Sequence, residues 1–275
     1  MKKSRLVIAA GRTEKQYWRD LWQYRELFYF LSWRDILVRY KQTAIGIAWA
    51  LIRPFLTMIV FTVLFSNLAN LPTQGETPYP ILVLAALLPW QFFAASLGQT
   101  SNSLVSNANL ISKVYFPRLL VPASAIAVNF VDFLVSGLLL LALMIGYRYV
   151  PTWRILTLPF FVLMAAMAAF GLGVWFAAIY VRFRDVAQVI PFLIQLGQYV
   201  SPVGYSAEII PGRWRLVYSL NPMVGVIDGF RWAILKGEQS FYVPGFVLAL
   251  AVVVLLVGLG IRYFRAAERT FADII

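Results

Sequence analysis

Residues 119–147 read LLVPASAIAVNFVDFLVSGLLLLALMIGY, a run with a single charged side chain, Asp132. An α-helix needs about 20 apolar residues to cross the ~30 Å hydrocarbon core of a bilayer. Similar stretches occupy residues 45–68, 81–98, 155–181, 186–205 and 243–264. A soluble domain of 275 residues cannot bury so much apolar surface. The pattern predicts an all-α polytopic membrane protein with six transmembrane helices.

Composition agrees. Apolar residues make up 61% and charged residues 13%, about half the charged share usual in a globular domain. Cysteine is absent, which excludes disulfide and thiolate chemistry. Histidine is also absent, which removes the usual proton carrier near neutral pH and the commonest metal ligand. No paired carboxylates or metal-ligand spacing suggest a catalytic or metal site. No G-x-x-x-x-G-K-[ST] phosphate loop occurs, so this chain is not expected to hydrolyse ATP.

The net charge of +12 would suggest nucleic acid on a soluble domain. Here its placement reads as topology. Seventeen Lys and Arg fall on one side of the six spans and six on the other. The richer side faces the cytoplasm by the positive-inside rule, which places both termini there. The chain divides into a cytoplasmic segment 1–42, a membrane domain 43–264 and a tail 265–275. The opening Met1-Lys2-Lys3-Ser4-Arg5 imitates a signal peptide, but its apolar core is too short. Residues 14–36 follow as one amphipathic helix. Tyr17, Trp18, Leu21, Trp22, Leu27, Phe28 and Leu31 recur at helical spacing among basic residues, a pattern suited to the headgroup layer.

Two connections are more than turns. Residues 107–118 can form a short cytoplasmic helix, with Asn107 or Asn109 as its cap and an apolar ridge of Leu110, Ile111, Val114 and Phe116. It either rests on lipid or docks a cytoplasmic partner. Residues 201–238 are apolar yet rich in Pro and Gly. They predict two short helices, 213–220 and 222–235, broken at Asn221-Pro222. Irregular backbone at membrane depth must be buried in protein or line a wet cavity, so a re-entrant pair fits, with a surface hairpin as the alternative. Arg53 and Asp132 lie inside spans, where a charge needs a partner or a water path. Arg53 is placed to snorkel to the cytoplasmic interface, and an interhelical bond best explains Asp132. Aromatic residues reach 16%, and a subset facing a pore can stack on sugar rings.

Three stretches carry a family resemblance. They are Arg34-Asp35-Ile36-Leu37-Val38-Arg39-Tyr40-Lys41-Gln42-Thr43 with Gly46, Trp49 and Pro54; Asn109 through Arg118; and Ser201-Pro202-Val203-Gly204-Tyr205 through Pro211 to Asn221-Pro222-Met223 and Gly229-Phe230-Arg231. Together they resemble the permease subunit of type-2 ABC exporters of polysaccharides, the O-antigen, capsule and teichoic-acid exporters.

The resemblance implies a homodimer in the bacterial inner membrane, joined by two copies of a separate ATPase that binds ATP and Mg. It places Asn109, Leu110, Ile111, Lys113, Val114, Phe116 and Arg118 in a coupling helix against that ATPase, with Arg182 and Asp185 as a second contact. Residues 206–235 become external gate helices, with Pro202, Tyr205, Pro211, Asn221, Pro222, Phe230 and Arg231 at the gate. Trp49, Phe55, Phe65, Trp90 and Tyr199 become candidates to line a channel. The implied cargo is a lipid-linked glycan, whose diphosphate head group the basic 14–41 segment can attract. A drug or lipid exporter is the nearest alternative. A membrane-embedded glycosyl- or acyltransferase and a self-sufficient channel are alternatives of other classes, and neither has supporting residues.

Overall fold

A computed structural model describes residues 14–41, 46–68, 77–236, 240–268 and 271. The signal-like opening, the start of the first span at 45 and most of the tail lie outside the described residues. All regular elements among them are helical. In order they are α1 (Glu14–Gln23), α2 (Arg25–Lys41), α3 (Ala48–Phe61), α4 (Tyr79–Ser106), α5 (Ala108–Lys113), α6 (Leu120–Gly146), α7 (Leu158–Arg182), α8 (Val186–Val200), α9 (Gly212–Tyr218), α10 (Pro222–Ile234) and α11 (Val243–Ala267). A π-helical run, Thr62–Leu68, extends α3, and a 3₁₀ turn, Trp153–Thr157, leads into α7.

Among the described residues, five helical stretches are long and apolar enough to cross a membrane: Ala48–Phe65, Tyr79–Ser106, Leu120–Gly146, Trp153–Arg182 and Val243–Ala267. The expected fifth span at 186–205 is shorter. Its helix stops at Val200 after 15 residues, roughly 22 Å of rise against a ~30 Å core. Ser201 turns extended, and residues 201–205 fold inward as buried or half-buried backbone. Apolar composition alone made those residues look like more helix.

The expected single helix at 14–36 is also two helices, meeting at Tyr24. The backbone ladder bends there rather than breaking, since Tyr24 N–H still donates to Asp20 and Leu27 N–H to Tyr24. The bend keeps Tyr17, Leu21, Leu27, Phe28 and Leu31 packed on a second core with Leu104, Ile111, Phe116 and Phe264. Trp18, Trp22, Tyr29, Phe30 and Trp33 are left on the outer face. Exposed Trp and Tyr beside Arg suit the headgroup layer.

Helix α4 is the hub. It packs against α7, α6, α10, α3 and α8, and most of its residues are buried. Helix α11 covers the far side of α7. Hydrocarbon gives no hydrophobic drive between spans, so their packing depends on close approach of small residues. Helix α7 supplies them: Ala165, Ala168, Ala169, Gly171, Gly173, Ala177 and Ala178 are all buried. A Cβ at Gly171 would lie 2.7 Å from the backbone of Leu256 and Val257, and one at Gly260 would lie 2.2 Å from the Gly171 carbonyl oxygen. Backbone cannot yield as a side chain can. Gly171→Val should therefore destabilise the bundle by about 1–3 kcal/mol, the usual cost of overpacking. Thermal unfolding in detergent reads this as a lowered midpoint; an unchanged midpoint would contradict the contact.

Candidate functional site

A cavity of about 810 Å³ opens between α3, α4, α6, α8 and the end of α2. Its wall combines rings (Tyr40, Trp49, Trp90, Phe92, Phe133), amides (Gln91, Gln99, Asn129, Gln198) and charges (Arg39, Arg53, Asp132). Asp132 stands twelve residues into α6, roughly 18 Å along the helix from its N-terminal start. It forms a salt bridge with Arg39 and accepts a hydrogen bond from the Tyr40 hydroxyl. Arg39 also donates to Asn129 Oδ1 at 3.2 Å, and Asn129 Nδ2 donates to Gln99 Oε1 at 2.9 Å. The end of α2 is thus tied to α6 and α4 by a polar chain well inside the apolar helices. Ser136 Oγ donates to the Ala50 carbonyl at 2.7 Å, which sets the first turn of α3 beside the middle of α6. The interhelical bond expected for Asp132 is present. Arg53 is exposed on the cavity wall, stacked over Trp49 at 5.9 Å.

Of the residues expected to line a channel, Trp49 and Trp90 stand on this wall. Trp90 is buried and packs on Gly197, where a Cβ would meet its ring at 2.8 Å. Phe55 and Tyr199 are exposed away from the wall, and the Phe65 ring covers Gly204. The amides were not anticipated. They are spread over α4, α6 and α8, and single Gln or Asn residues carry no readable spacing. Arg39 was expected as a topology charge and as part of the basic 14–41 segment, not as the partner of Asp132. The need of Asp132 for a partner was the one available signal.

At the opposite end, the two expected short helices are α9 and α10. Asn221 caps α10, its Oδ1 accepting from Met223 N–H at 3.0 Å while its Nδ2 donates to Ser201 Oγ at 2.9 Å. Pro222 occupies the first turn, as expected. Phe230 is buried against Phe133 and Phe161. Arg231 is fully buried and donates to the carbonyls of Tyr205 (2.6 Å) and Val203 (2.9 Å). Tyr79 donates to the Gly204 carbonyl between them at 2.8 Å. Tyr205 and Tyr218 both donate to Val200 O, at 2.9 and 2.7 Å. Pro202 is buried and Pro211 exposed. The segment 201–205, where α8 ends, is therefore held by its carbonyls. Arg231→Met would leave buried carbonyls without donors. It should lower the thermal midpoint and expose residues 201–205 to proteolysis, whereas Phe183→Ala on the exposed α7–α8 connection should do neither.

The short helix α5, expected on the cytoplasmic side, spans Ala108–Lys113, and the chain is extended by Val114. The expected side-chain cap is absent. Asn107 precedes α5, but its Nδ2 donates to Ser103 O at 2.9 Å and its Oδ1 accepts from Arg34 at 3.0 Å. The expected apolar ridge is divided. Val114 is exposed with Asn109, Lys113 and Tyr115, and Leu110 is half-exposed, while Ile111 and Phe116 enter the second core. Arg182 and Asp185 are both exposed on the α7–α8 connection.

Arg118 joins the tail. Its N–H donates to Glu268 Oε1 at 3.1 Å, its side chain donates to Glu268 O at 2.6 Å, and its guanidinium stacks on Phe271. Burial holds the Glu268 carboxyl above the usual carboxylate range, against the opposing pull of Arg118. A raised folded-state value means the native form holds its proton more tightly. The stability from this junction is full below the ordinary carboxylate range and is lost as pH rises through the raised value. Thermal midpoints measured between about pH 4 and about pH 8 should fall across that window. Glu268→Gln should flatten the dependence; an unaltered slope would contradict this origin.

With the geometry in place, comparison with known proteins assigns the family. Residues 26–235 match the family model described as ABC-2 type transporter. This chain belongs to the ABC-2 type transporter family. It is 30% identical over 259 residues to an O-antigen export system permease protein of Myxococcus xanthus, covering 94% of this chain and 98% of that protein. It is 26% identical over 260 residues to an O-antigen export system permease protein of Klebsiella pneumoniae, covering 91% and 95%. A polysialic acid transport protein of Escherichia coli is 22% identical over 236 residues, covering 86% and 91%. The ABC-2 match takes in α2 through α10, and so the cavity, the capped helix α10 and the short helix α5. Among the described residues no group of three or more potential metal-ligating side chains occurs.

Proposed function

We propose that this chain is the permease subunit of an ATP-driven exporter that carries a lipid-linked polysaccharide from the cytoplasmic to the outer face of the bacterial inner membrane. The observation that carries this reading is end-to-end similarity to permeases named for O-antigen export, joined by a similarity to a polysialic acid transporter. The cavity wall supports glycan over a purely apolar drug. Rings stack on the apolar faces of sugars, and amides bond their hydroxyls.

In this reading a separate ATPase supplies the power stroke. Two copies of it bind ATP and Mg, and each docks on the exposed surface of Asn109, Lys113, Val114 and Leu110, with Arg182 and Asp185 alongside. Closure of the ATPase pair shifts the spans as rigid bodies. Two copies of this chain face each other. The cavity, open along α3 and α8, is one half of a conduit completed by the second copy. Helix α8 with the folded-in 201–205 segment serves as a sixth, interrupted crossing, which puts both termini in the cytoplasm. Helices α9 and α10 form the external gate.

Deleting the gene should strand lipid-linked polymer inside the cell, seen by glycan staining of membrane fractions; normal surface polymer would contradict the function. Val114→Asp places a carboxylate on the docking surface without touching the core. It should reduce surface polymer at least tenfold if the interface loses 1.4 kcal/mol or more. Full export by that variant would remove the docking role.

A further inference from the structure

The Arg39–Asp132 pair sits on the cavity wall rather than in a sealed core. The two side chains keep 26% and 30% exposure. A pair open to water adds little stability for its cost, so tying α2 to α6 leaves room for a second role of charge at this depth. Arg53 lines the same cavity and forms no salt bridge with any described carboxylate. The described wall therefore carries two guanidiniums against one carboxylate. Asp132 presents acceptor-only oxygens to a guanidinium and a phenol. Those partners would greet a phosphate oxygen or a sugar carboxylate in the same way.

Building on the exporter reading, we propose that this wall is an anion subsite in which Asp132 is a stand-in. An anionic group of the cargo, phosphate or carboxylate, displaces Asp132 from Arg39 and Tyr40 and gains Arg53 as a second arm. Arg39 exchanges one oxyanion for another, and the freed Asp132 turns to the wet cavity. The same step removes the Asp132 tie between α2 and α6 and leaves only the Arg39–Asn129 bond at that end, so occupancy of the cavity is felt by α2. With the cavity empty, Asp132 excludes weaker anions and keeps α2 docked.

The test uses the whole complex with its ATPase in lipid nanodiscs. Three probes are compared by equilibrium binding: a polyprenyl diphosphate, the matching polyprenol, and a soluble uronate oligosaccharide. The wild type should bind an anionic probe more tightly than the polyprenol. Preference for the diphosphate assigns the anion to a lipid head group, and preference for the uronate assigns it to the glycan. Asp132→Asn removes the competitor and should tighten anion binding about tenfold, while Arg39→Gln should weaken it by a similar factor. A purely structural pair would weaken binding in both variants, which overturns the exchange. Arg53→Gln leaves the ion pair intact. It must weaken the anionic probe and spare the polyprenol, and equal effects on both also overturn the subsite. An exporter that delivers glycan to the surface but binds diphosphate, uronate and polyprenol alike loses the subsite and keeps its function. Unchanged surface glycan after gene deletion strikes the exporter reading itself.

Discussion

A carboxylate in the middle of a bilayer-spanning helix must find a partner, because hydrocarbon offers neither hydrogen bonds nor counterions. Asp132 meets that demand with Arg39 and Tyr40, which come from the end of α2. For those side chains to arrive, α2 must climb against α6 instead of lying flat along the surface. Helix α3 then begins beside the middle of α6, where Ser136 donates to Ala50. The space left between α3, α4, α6 and α8 is the polar cavity. One electrostatic contact thus joins the end of α2 to the middle of α6, beside the start of α3 and the polar cavity.

Around that site the molecule uses two different kinds of rigidity. On the α4–α7–α11 side, small residues bring backbones into contact and leave no room for movement. At the α9–α10 end, hydrogen bonds to backbone carbonyls do the holding. Arg231 anchors the carbonyls of residues 203 and 205, and Tyr205 and Tyr218 share that of Val200. Dispersion contacts fall away steeply with distance, whereas hydrogen bonds can be traded for others of equal quality. The two ends of the molecule are therefore held by different forces, close packing on one side and hydrogen bonds on the other.

Hydropathy alone placed five of the six expected spans on long apolar helices, because a 25-residue apolar run has few other solutions in water or lipid, though α4 runs to Ser106, eight residues past its expected end at 98. It failed at residues 201–205, where Pro202 and Gly204 sit in an apolar sequence that folds inward instead of continuing α8. Arg231 looked like an external topology charge, yet it is the largest fully buried side chain. Nothing local distinguishes an arginine whose partners are carbonyls 26 and 28 residues away. Asn221-Pro222 was readable because a cap and a first-turn proline are local chemistry. Asn107 misled for the converse reason: its local fitness as a cap was overridden by Arg34, 73 residues distant. The site's rings were partly visible in Trp49 and Trp90. Its amides were not, since tertiary packing alone brings Gln91, Gln99, Asn129 and Gln198 together.

The absence of cysteine makes the chain ready for the decisive measurement. Single cysteines at Thr57, Gln99 and Gln198 on the cavity wall, and at Leu138 and Leu163 on exposed apolar surface, can be introduced into the complex in native membranes. A charged, membrane-impermeant maleimide then reports which positions meet water. The three wall positions should label, and should be protected when lipid-linked glycan is loaded, while Leu138 and Leu163 stay unreactive. Wall positions as inert as Leu138 would mean that no aqueous cavity lies within the bilayer-spanning helices.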